Sequence, residues 1–196
     1  MRQMKKNGRR STCALLSVML LLLTVVSCKD TPSDDKTVTD EIITQYLTAM
    51  CEYDIPTMNR NCLSVIESYG DSKAVNDSCR VLAARISWQI EAISINGNAA
   101  IAQVTIVRPK NYEVICTDAL DDAMQQIEQN TDRSPAEILA ASIKTRAEET
   151  DAVQISVEIP MSKISNKWMI GKTHTIDGII SDIRTPTAAV YSLIGQ

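Results

Sequence analysis

The stretch VQISVEIPMSKISNKWMI, residues 153–170, decides the fold class of this chain. Apolar side chains occupy every second position from Val153 to Met161, and mostly polar residues lie between them. A period of two is typical of a strand with one buried and one wet face, as in an antiparallel sheet. Ser165-Asn166 then predicts a turn, so the residues that follow form the second arm of a hairpin.

A second hairpin is predicted upstream, over residues 86–108. Apolar and polar residues alternate on both sides of Asn96-Gly97, a dipeptide that favours a two-residue type I′ turn. The alternation changes parity near Glu91-Ala92, which predicts a bulge in the first strand of this hairpin.

Helices are predicted before the hairpins, because apolar residues there recur every three or four positions. The predicted helices span residues 40–53, 54–70 and about 72–84. Asp54 is expected to cap the second of these helices, and Gly70 is expected to end it.

Residues 112–149, between the two hairpins, are predicted to be a helical insertion. Asp118 is expected to cap its first helix. The sequence SPAE at residues 134–137 has the form of a capping box with a first-turn proline, and so predicts the start of its second helix. The tail, residues 173–196, is expected to extend the last strand through Ile176 and then to lose regularity.

The order of these elements predicts an α+β fold. N-terminal helices pack on a curved antiparallel sheet, and the helical insertion lies between the two hairpins. Residues 40–196 are expected to form a single domain of this kind.

Three segments resemble the cystatin-like or nuclear-transport-factor-like cone of small bacterial lipoproteins of unknown function: ITQYLTAMCEYDIPTM, INGNAAIAQVTI and VQISVEIPMSKISNKWMI. The resemblance covers roughly residues 40–172 and places Trp168 and Ile170 in the closing strand. It implies that a leading helix packs across a bent sheet. The long helical insertion departs from the minimal cone and would reshape any pocket.

The first 27 residues have the organisation of a secretory signal. Five basic residues precede an apolar run of 14 residues, from Cys13 to Val26. As a helix this run spans about 21 Å, whereas a bilayer-spanning helix needs about 20 residues. A basic start, a short apolar run and small residues at its end are typical of a signal peptide.

The sequence VVSC, residues 25–28, resembles the lipobox of bacterial lipoproteins. The resemblance implies cleavage before Cys28 and acylation of its thiol and amine, which anchors the chain in a lipid bilayer. Several acyl chains hold a protein firmly where a single chain does not. The alternatives are an ordinary signal peptide with a cysteine nearby and an uncleaved anchor.

These features place the mature protein in the bacterial cell envelope. Residues 28–39 are polar and charged, and they are expected to form a flexible tether. The acidic residues of this tether resemble export signals that follow the lipidated cysteine in some diderm bacteria. The outer membrane is the expected location, and a periplasmic or a surface orientation stays open.

The charge of the mature chain argues against nucleic-acid binding. Residues 1–27 hold five of the 20 basic residues and none of the 24 acidic ones, which leaves 15 basic residues and a net charge of about −9. Such a chain repels nucleic acids and anionic membrane surfaces.

Four cysteines lie beyond the signal and Cys28: Cys51, Cys62, Cys79 and Cys116. An even number in an exported protein predicts up to two disulfides in three pairings, with a bridge among the first three favoured. Alternatively, all four are small buried apolar residues that are never oxidised. The sequence has no CxxC motif and no zinc-ligand spacing, so no cofactor or metal is predicted.

The residues that could carry catalysis have simpler explanations. His174 and Asp177 are expected to point to opposite faces of a strand, so they do not form a dyad. Asp121-Asp122 are expected to begin a helix, where the helix dipole favours acids. Three methionines are interpreted as core residues on helix faces: Met50, Met58 and Met124.

Two functions follow as hypotheses. The first is a non-catalytic binding module, held to a lipid bilayer by acylated Cys28, for an envelope protein, a peptide or a small apolar ligand. The second is a small cone-fold enzyme, a lyase or isomerase that uses a single buried acid or base. A purely structural role in the envelope is the remaining option.

Overall fold

The computed structural model describes residues 32–67, 70–129 and 132–195. The helices are α1 (Pro32–Cys51), α2 (Ile55–Asn59), α3 (Lys73–Ala83), α4 (Tyr112–Ile127), α5 (Pro135–Glu149) and α6 (His174–Ile194). The strands are β1 (Ser87–Asn96), β2 (Ala99–Pro109), β3 (Ala152–Ile164) and β4 (Lys167–Ile170). Helices and an antiparallel sheet in separate blocks of the chain make this an α+β fold, as predicted.

The two hairpins join in one sheet with the strand order β1-β2-β3-β4, in which every neighbouring pair is antiparallel. Strands β2 and β3 pair along their whole length, from Ala99 opposite Ser162 to Pro109 opposite Ala152. The predicted bulge is confirmed, because the β1–β2 register shifts at residues 90–92. The helical insertion, α4 and α5, lies in the chain between the two hairpins.

The first hairpin turns one residue later than predicted. Its loop residues are Gly97 and Asn98, and of these only Gly97 has a positive φ, of 59°. A type II′ turn needs a positive φ at its first central position alone, so the predicted type I′ turn at Asn96-Gly97 is wrong. The second turn is confirmed at Ser165 and Asn166, whose φ angles of 48° and 64° fit a type I′ turn.

One face of the sheet forms part of the hydrophobic core. Strand β2 buries alternate residues, and Val104 and Ile106 are fully covered. Residues from α1, such as Leu47, belong to the same buried cluster, so the N-terminal helix contributes to one shared core. Burying a side chain of this size stabilises the fold by roughly 1.5–3 kcal/mol. The opposite face of β3 carries Ser156 and Glu158, which are exposed.

Helix α1 begins at Pro32 rather than at residue 40, so the predicted flexible tether is helical over residues 32–39. Two features of the sequence favour this earlier start. Asp34 and Asp35 lie in the first turn, where the helix dipole stabilises acids. Thr39 is fully buried, which ties this part of the helix to the fold.

The helix predicted over residues 54–70 is much shorter, because α2 ends at Asn59. Its cap is confirmed: the side chain of Asp54 accepts a hydrogen bond of 3.1 Å from the Thr57 amide. Beyond α2, the backbone forms hydrogen bonds with strand β4 instead of continuing the helix. The Leu63 amide donates to the Ile170 carbonyl at 2.8 Å, and the Ile170 amide donates to the Asn61 carbonyl at 2.6 Å.

The insertion has two helices, as predicted, but the first has a different cap. Asn111, not Asp118, caps α4, and its side chain accepts hydrogen bonds from two backbone amides of the first turn. The capping box of α5 is confirmed, because Ser134 and Glu137 bond reciprocally.

The tail is helical, so the predicted strand extension through Ile176 is wrong. Helix α6 buries Ile176, Ile179, Ile180 and Ile183, at the three- and four-residue spacing of one helical face. The pattern was readable in the sequence, but Gly178 and Pro186 interrupt it and lower the expected helix propensity.

Candidate functional site

A groove of about 680 Å³ lies between α4 and α6, next to the end of β2. We call it the α4/α6 groove. Its polar end is lined by Arg108, Lys110 and Asp182, and its apolar end by Leu120 and Leu193. A pocket of this size is in the range that holds a small ligand.

The two helices set the length of the groove. The Cys116 thiol lies 3.7 Å from the Thr187 hydroxyl and marks where α4 and α6 meet. Toward the N-terminal ends of both helices the lining is polar, and toward the C-terminal ends it is apolar. The distance along α4 from Tyr112 to Leu120 is about 12 Å, at about 1.5 Å per residue.

The alternation of side chains along strand β2 determines where the Arg108 side chain lies. Alternate residues of this strand, up to Ile106, point into the core, and Arg108 is the next residue in that series. Its side chain is only 18% exposed. An arginine in phase with a buried apolar series was a signal that the sequence contained and that sequence reasoning missed.

Within the part of the chain that the structure describes, Arg108 has no close carboxylate acceptor for its charge. One terminal nitrogen donates to the Pro109 carbonyl at 3.4 Å, and the other lies 3.8 Å from a carboxylate oxygen of Asp182. Its Nε is buried without a hydrogen-bond partner among the described residues. The guanidinium also lies over the Tyr112 ring, 5.6 Å from the ring centroid, which is a cation–π contact.

Tyr112 adds a second unsatisfied group beside Arg108. Its side chain is 2% exposed, and its hydroxyl has no hydrogen-bond partner among the described residues. Burial raises the pKa of Tyr112 above its ordinary value, and the positive charge of Arg108 partly opposes that rise. The hydroxyl is therefore protonated near neutral pH and can act as a donor.

The other charges at the polar end lie at the surface. Lys110 and Glu113 are exposed, and the side chain of Asp182 is 56% exposed. The first-turn amides of Glu113 and Val114 donate to the Asn111 side chain at 3.0 and 3.2 Å. The N-terminus of α4 is thus already capped, and Arg108 is the buried cation of the groove.

The predicted catalytic candidates lie elsewhere. His174 is the first residue of α6 and is exposed, so its predicted place in a strand is wrong. Asp121 and Asp122 lie inside α4 rather than at its start. Asp122 forms a bidentate ion pair with Arg146 at 2.6 and 2.7 Å, which explains it better than the helix dipole does.

The methionine interpretation is confirmed for two of three residues. Met50 and Met58 are buried in the core. Met124 is half exposed, so its assignment to the core is wrong. The helical face that buries Ala119 and Ala123 of α4 leaves Met124 at the border of the core.

The four cysteines of the folded region are free thiols in this structure. Cys79 and Cys116 are buried, and Cys51 and Cys62 are half-buried. Burial raises the pKa of the Cys51, Cys62 and Cys79 thiols to about 11, so they are not thiolates at neutral pH. The predicted bridge stays a prediction about the oxidised protein. Cys28, the predicted lipidation site, lies outside the described residues.

Within the described residues, no helix combines the length and the apolar character that a bilayer crossing requires. No family model matches the chain, and no curated protein matches it. The cystatin-like resemblance therefore stays a prediction.

Among solved structures, a candidate lipoprotein from Bacillus subtilis, ycdA, is similar to this chain at 19% sequence identity and a TM-score of 0.38. The similarity covers 73% of this chain and 46% of that one, so this chain spans less than half the length of the Bacillus protein. At this TM-score the likeness carries no argument about fold or function.

Proposed function

We propose that this chain is a lipid-anchored protein of the bacterial cell envelope, whose folded region binds a small ligand in the α4/α6 groove without changing it chemically. The anchor is supported by the basic start, the short apolar run and the sequence VVSC at residues 25–28. The ligand site is supported by the groove and by the groups that line it.

The observation that carries the ligand site is the state of Arg108. A largely buried guanidinium without a close acceptor is costly, because its hydration is lost and little replaces it. The same chain pairs Arg146 and Arg184 with carboxylates at 2.6 to 2.8 Å. A ligand that supplies the missing acceptor would remove the cost at Arg108.

The alternative, a cone-fold lyase or isomerase, needs a buried acid or base. Among the described residues, the largely buried carboxylate of Asp71 is already paired with Arg184. The more deeply buried polar side chains carry hydroxyls: Thr39, Ser78, Ser142, Thr173 and Thr187. The acids of the groove, Glu113 and Asp182, are exposed. Binding without catalysis is therefore the proposal that uses the residues present.

Labelling with a radioactive fatty acid tests the anchor. We expect label on the wild-type chain and no label on Cys28→Ala. Cys13→Ala, which removes the cysteine of the apolar run, is the matched control and should keep the label. Label that persists in Cys28→Ala, or a mature protein that keeps residues 1–27, would contradict the anchor.

Native mass spectrometry tests the ligand site. The mature chain with Cys28→Ala, purified from bacterial cells without detergent, should carry a bound small molecule. Ala189→Trp, which fills the groove, should lose that mass, and Ala141→Trp on the exposed face of α5 should keep it. Equal occupancy in both variants, or no bound mass in the wild-type folded region, would contradict the ligand site.

A further inference from the structure

The geometry points to one class of ligand, an inference that rests on the proposed function and specifies it. We propose that the α4/α6 groove binds a fatty acid, whose carboxylate pairs with Arg108 and whose chain lies toward Leu120 and Leu193.

The sign of the charge follows from which charged groups are buried. Arg108 is largely buried, whereas Glu113 and Asp182 are exposed and keep their water. The nearest carboxylate, Asp182, stays 3.8 Å away and leaves room for a closer acceptor. An anion supplies that acceptor, whereas a cation would meet a poorly solvated guanidinium whose contact with Asp182 is long.

The head group is a single carboxylate rather than a phosphate. Arg108 presents a planar fork that can pair with two oxygens of a carboxylate or of a phosphate, so the other charges at this end decide between them. Only Lys110 adds a second positive charge at this end, and it is exposed. The acids Glu113 and Asp182 at the rim would repel a dianion more strongly than a monoanion.

The Tyr112 hydroxyl lies beside the guanidinium and can act as a further donor. It is covered in this structure, as is Nε of Arg108. The exposed surface of Arg108 therefore belongs to atoms other than Nε. An incoming carboxylate contacts these atoms first. A shift of the guanidinium off the Tyr112 ring would then make the hydroxyl accessible.

The apolar chain follows from the far end of the groove. Leu193 is 60% exposed, although it lies beside the buried Val190 on the same helix. Leu120 and Ala189 line the same end. A chain that covers these side chains removes apolar surface from water, and each added methylene should raise affinity about fourfold.

Isothermal titration calorimetry of the mature chain with Cys28→Ala tests the head and the chain separately. We expect decanoate to bind, octanoate to bind about 16-fold more weakly, and propionate not to bind detectably. Decyltrimethylammonium has the same chain with a cationic head and should not bind. Equal binding of decanoate and decyltrimethylammonium would overturn the assigned charge.

Two further arms test the residue and the chain. Arg108→Gln should weaken decanoate at least tenfold, and Arg146→Gln, which removes an arginine that does not line the groove, should not change it. An unchanged affinity in Arg108→Gln would overturn the role of Arg108. A tripeptide of three leucines with a free carboxylate that binds more tightly than decanoate would overturn the fatty-acid chain.

The outcomes separate this inference from the proposed function. If Ala189→Trp abolishes binding of a co-purified molecule while decanoate does not bind, the ligand class is wrong and the groove site stands. If Ala189→Trp changes neither co-purified mass nor decanoate binding, the site itself is wrong. The head-group series uses the wild-type folded region, so it stays decisive even if Arg108→Gln does not fold.

Discussion

Two arginine–carboxylate contacts that involve helix α6 differ in length. Arg184 of α6 meets Asp71, which lies just before α3, through two short contacts of 2.6 and 2.8 Å. Arg108, at the end of β2, meets Asp182 of the same helix α6 only at 3.8 Å. Asp182 and Arg184 are two residues apart on α6, and they belong to a long and a short ion pair. We call Arg184–Asp71 the closed pair and Arg108–Asp182 the open pair.

The difference separates an ion pair that stabilises the fold from an arginine that we assign to ligand binding. A half-buried arginine in a closed bidentate pair joins two parts of the chain, and its acceptor is already supplied. Arg108 is more buried than Arg184 and yet lacks such an acceptor. Because Arg108 lines the α4/α6 groove, the ligand that we propose would supply this acceptor.

The largest expected effect is on the closed pair. Asp71→Asn should lower the free energy of unfolding by about 3 kcal/mol, because it removes the negative charge from a largely buried ion pair with two short contacts. Urea denaturation of the mature chain measures this. A loss below about 1 kcal/mol would show that the closed pair does not contribute to stability as the comparison requires.

The open pair should respond much less to the matched substitution. Asp182→Asn should change the free energy of unfolding by less than about 0.5 kcal/mol, because Asp182 is exposed and its contact with Arg108 is long. The same urea titration measures both variants. A loss as large as that of Asp71→Asn would remove the distinction between the two arginines.

Tyr112→Phe tests whether the hydroxyl beside Arg108 is unsatisfied in the free protein. It removes a buried hydroxyl that has no hydrogen-bond partner among the described residues, so the stability of the free protein should stay equal or rise by about 1 kcal/mol. Decanoate affinity should fall in the same variant if the hydroxyl donates to the ligand. A clear loss of stability in Tyr112→Phe would show that the hydroxyl is satisfied within the fold.

The smallest expected effect concerns acid pH. The guanidinium of Arg146 holds the pKa of Asp122 below its ordinary value. The ionised form of Asp122 is therefore more favoured in the folded state than in the unfolded state. Its contribution is present above the unfolded pKa of about 3.9 and is lost as pH falls through the lower folded pKa. Asp122→Asn should therefore reduce the loss of stability below about pH 4. An unchanged pH profile would contradict this.

The sequence predicted those parts of the fold that local chemistry determines. The alternation around Val157, the parity change near Glu91 and the capping box at Ser134 each leave a signal within a few residues, and each was found in the structure. The type of the first turn was missed because the loop shifted by one residue, to Gly97-Asn98.

The parts that failed depend on distant partners. The helix predicted beyond Asn59 gives way because Ile170, more than a hundred residues later, takes the backbone hydrogen bonds of residues 61–63. The groove could not be read from local patterns, since α4 and α6 meet between Cys116 and Thr187. The phase of Arg108 with the buried series of β2 is the one signal of the groove that we find in the sequence, and sequence reasoning missed it.

A crystal structure of the mature chain with decanoate tests the central claim most directly. We expect the carboxylate oxygens about 2.8 Å from nitrogens of the Arg108 guanidinium, with the chain between α4 and α6 beside Leu120 and Leu193. Decanoate bound away from the groove, or a groove that stays empty while Arg108 keeps its 3.8 Å contact with Asp182, would contradict the account.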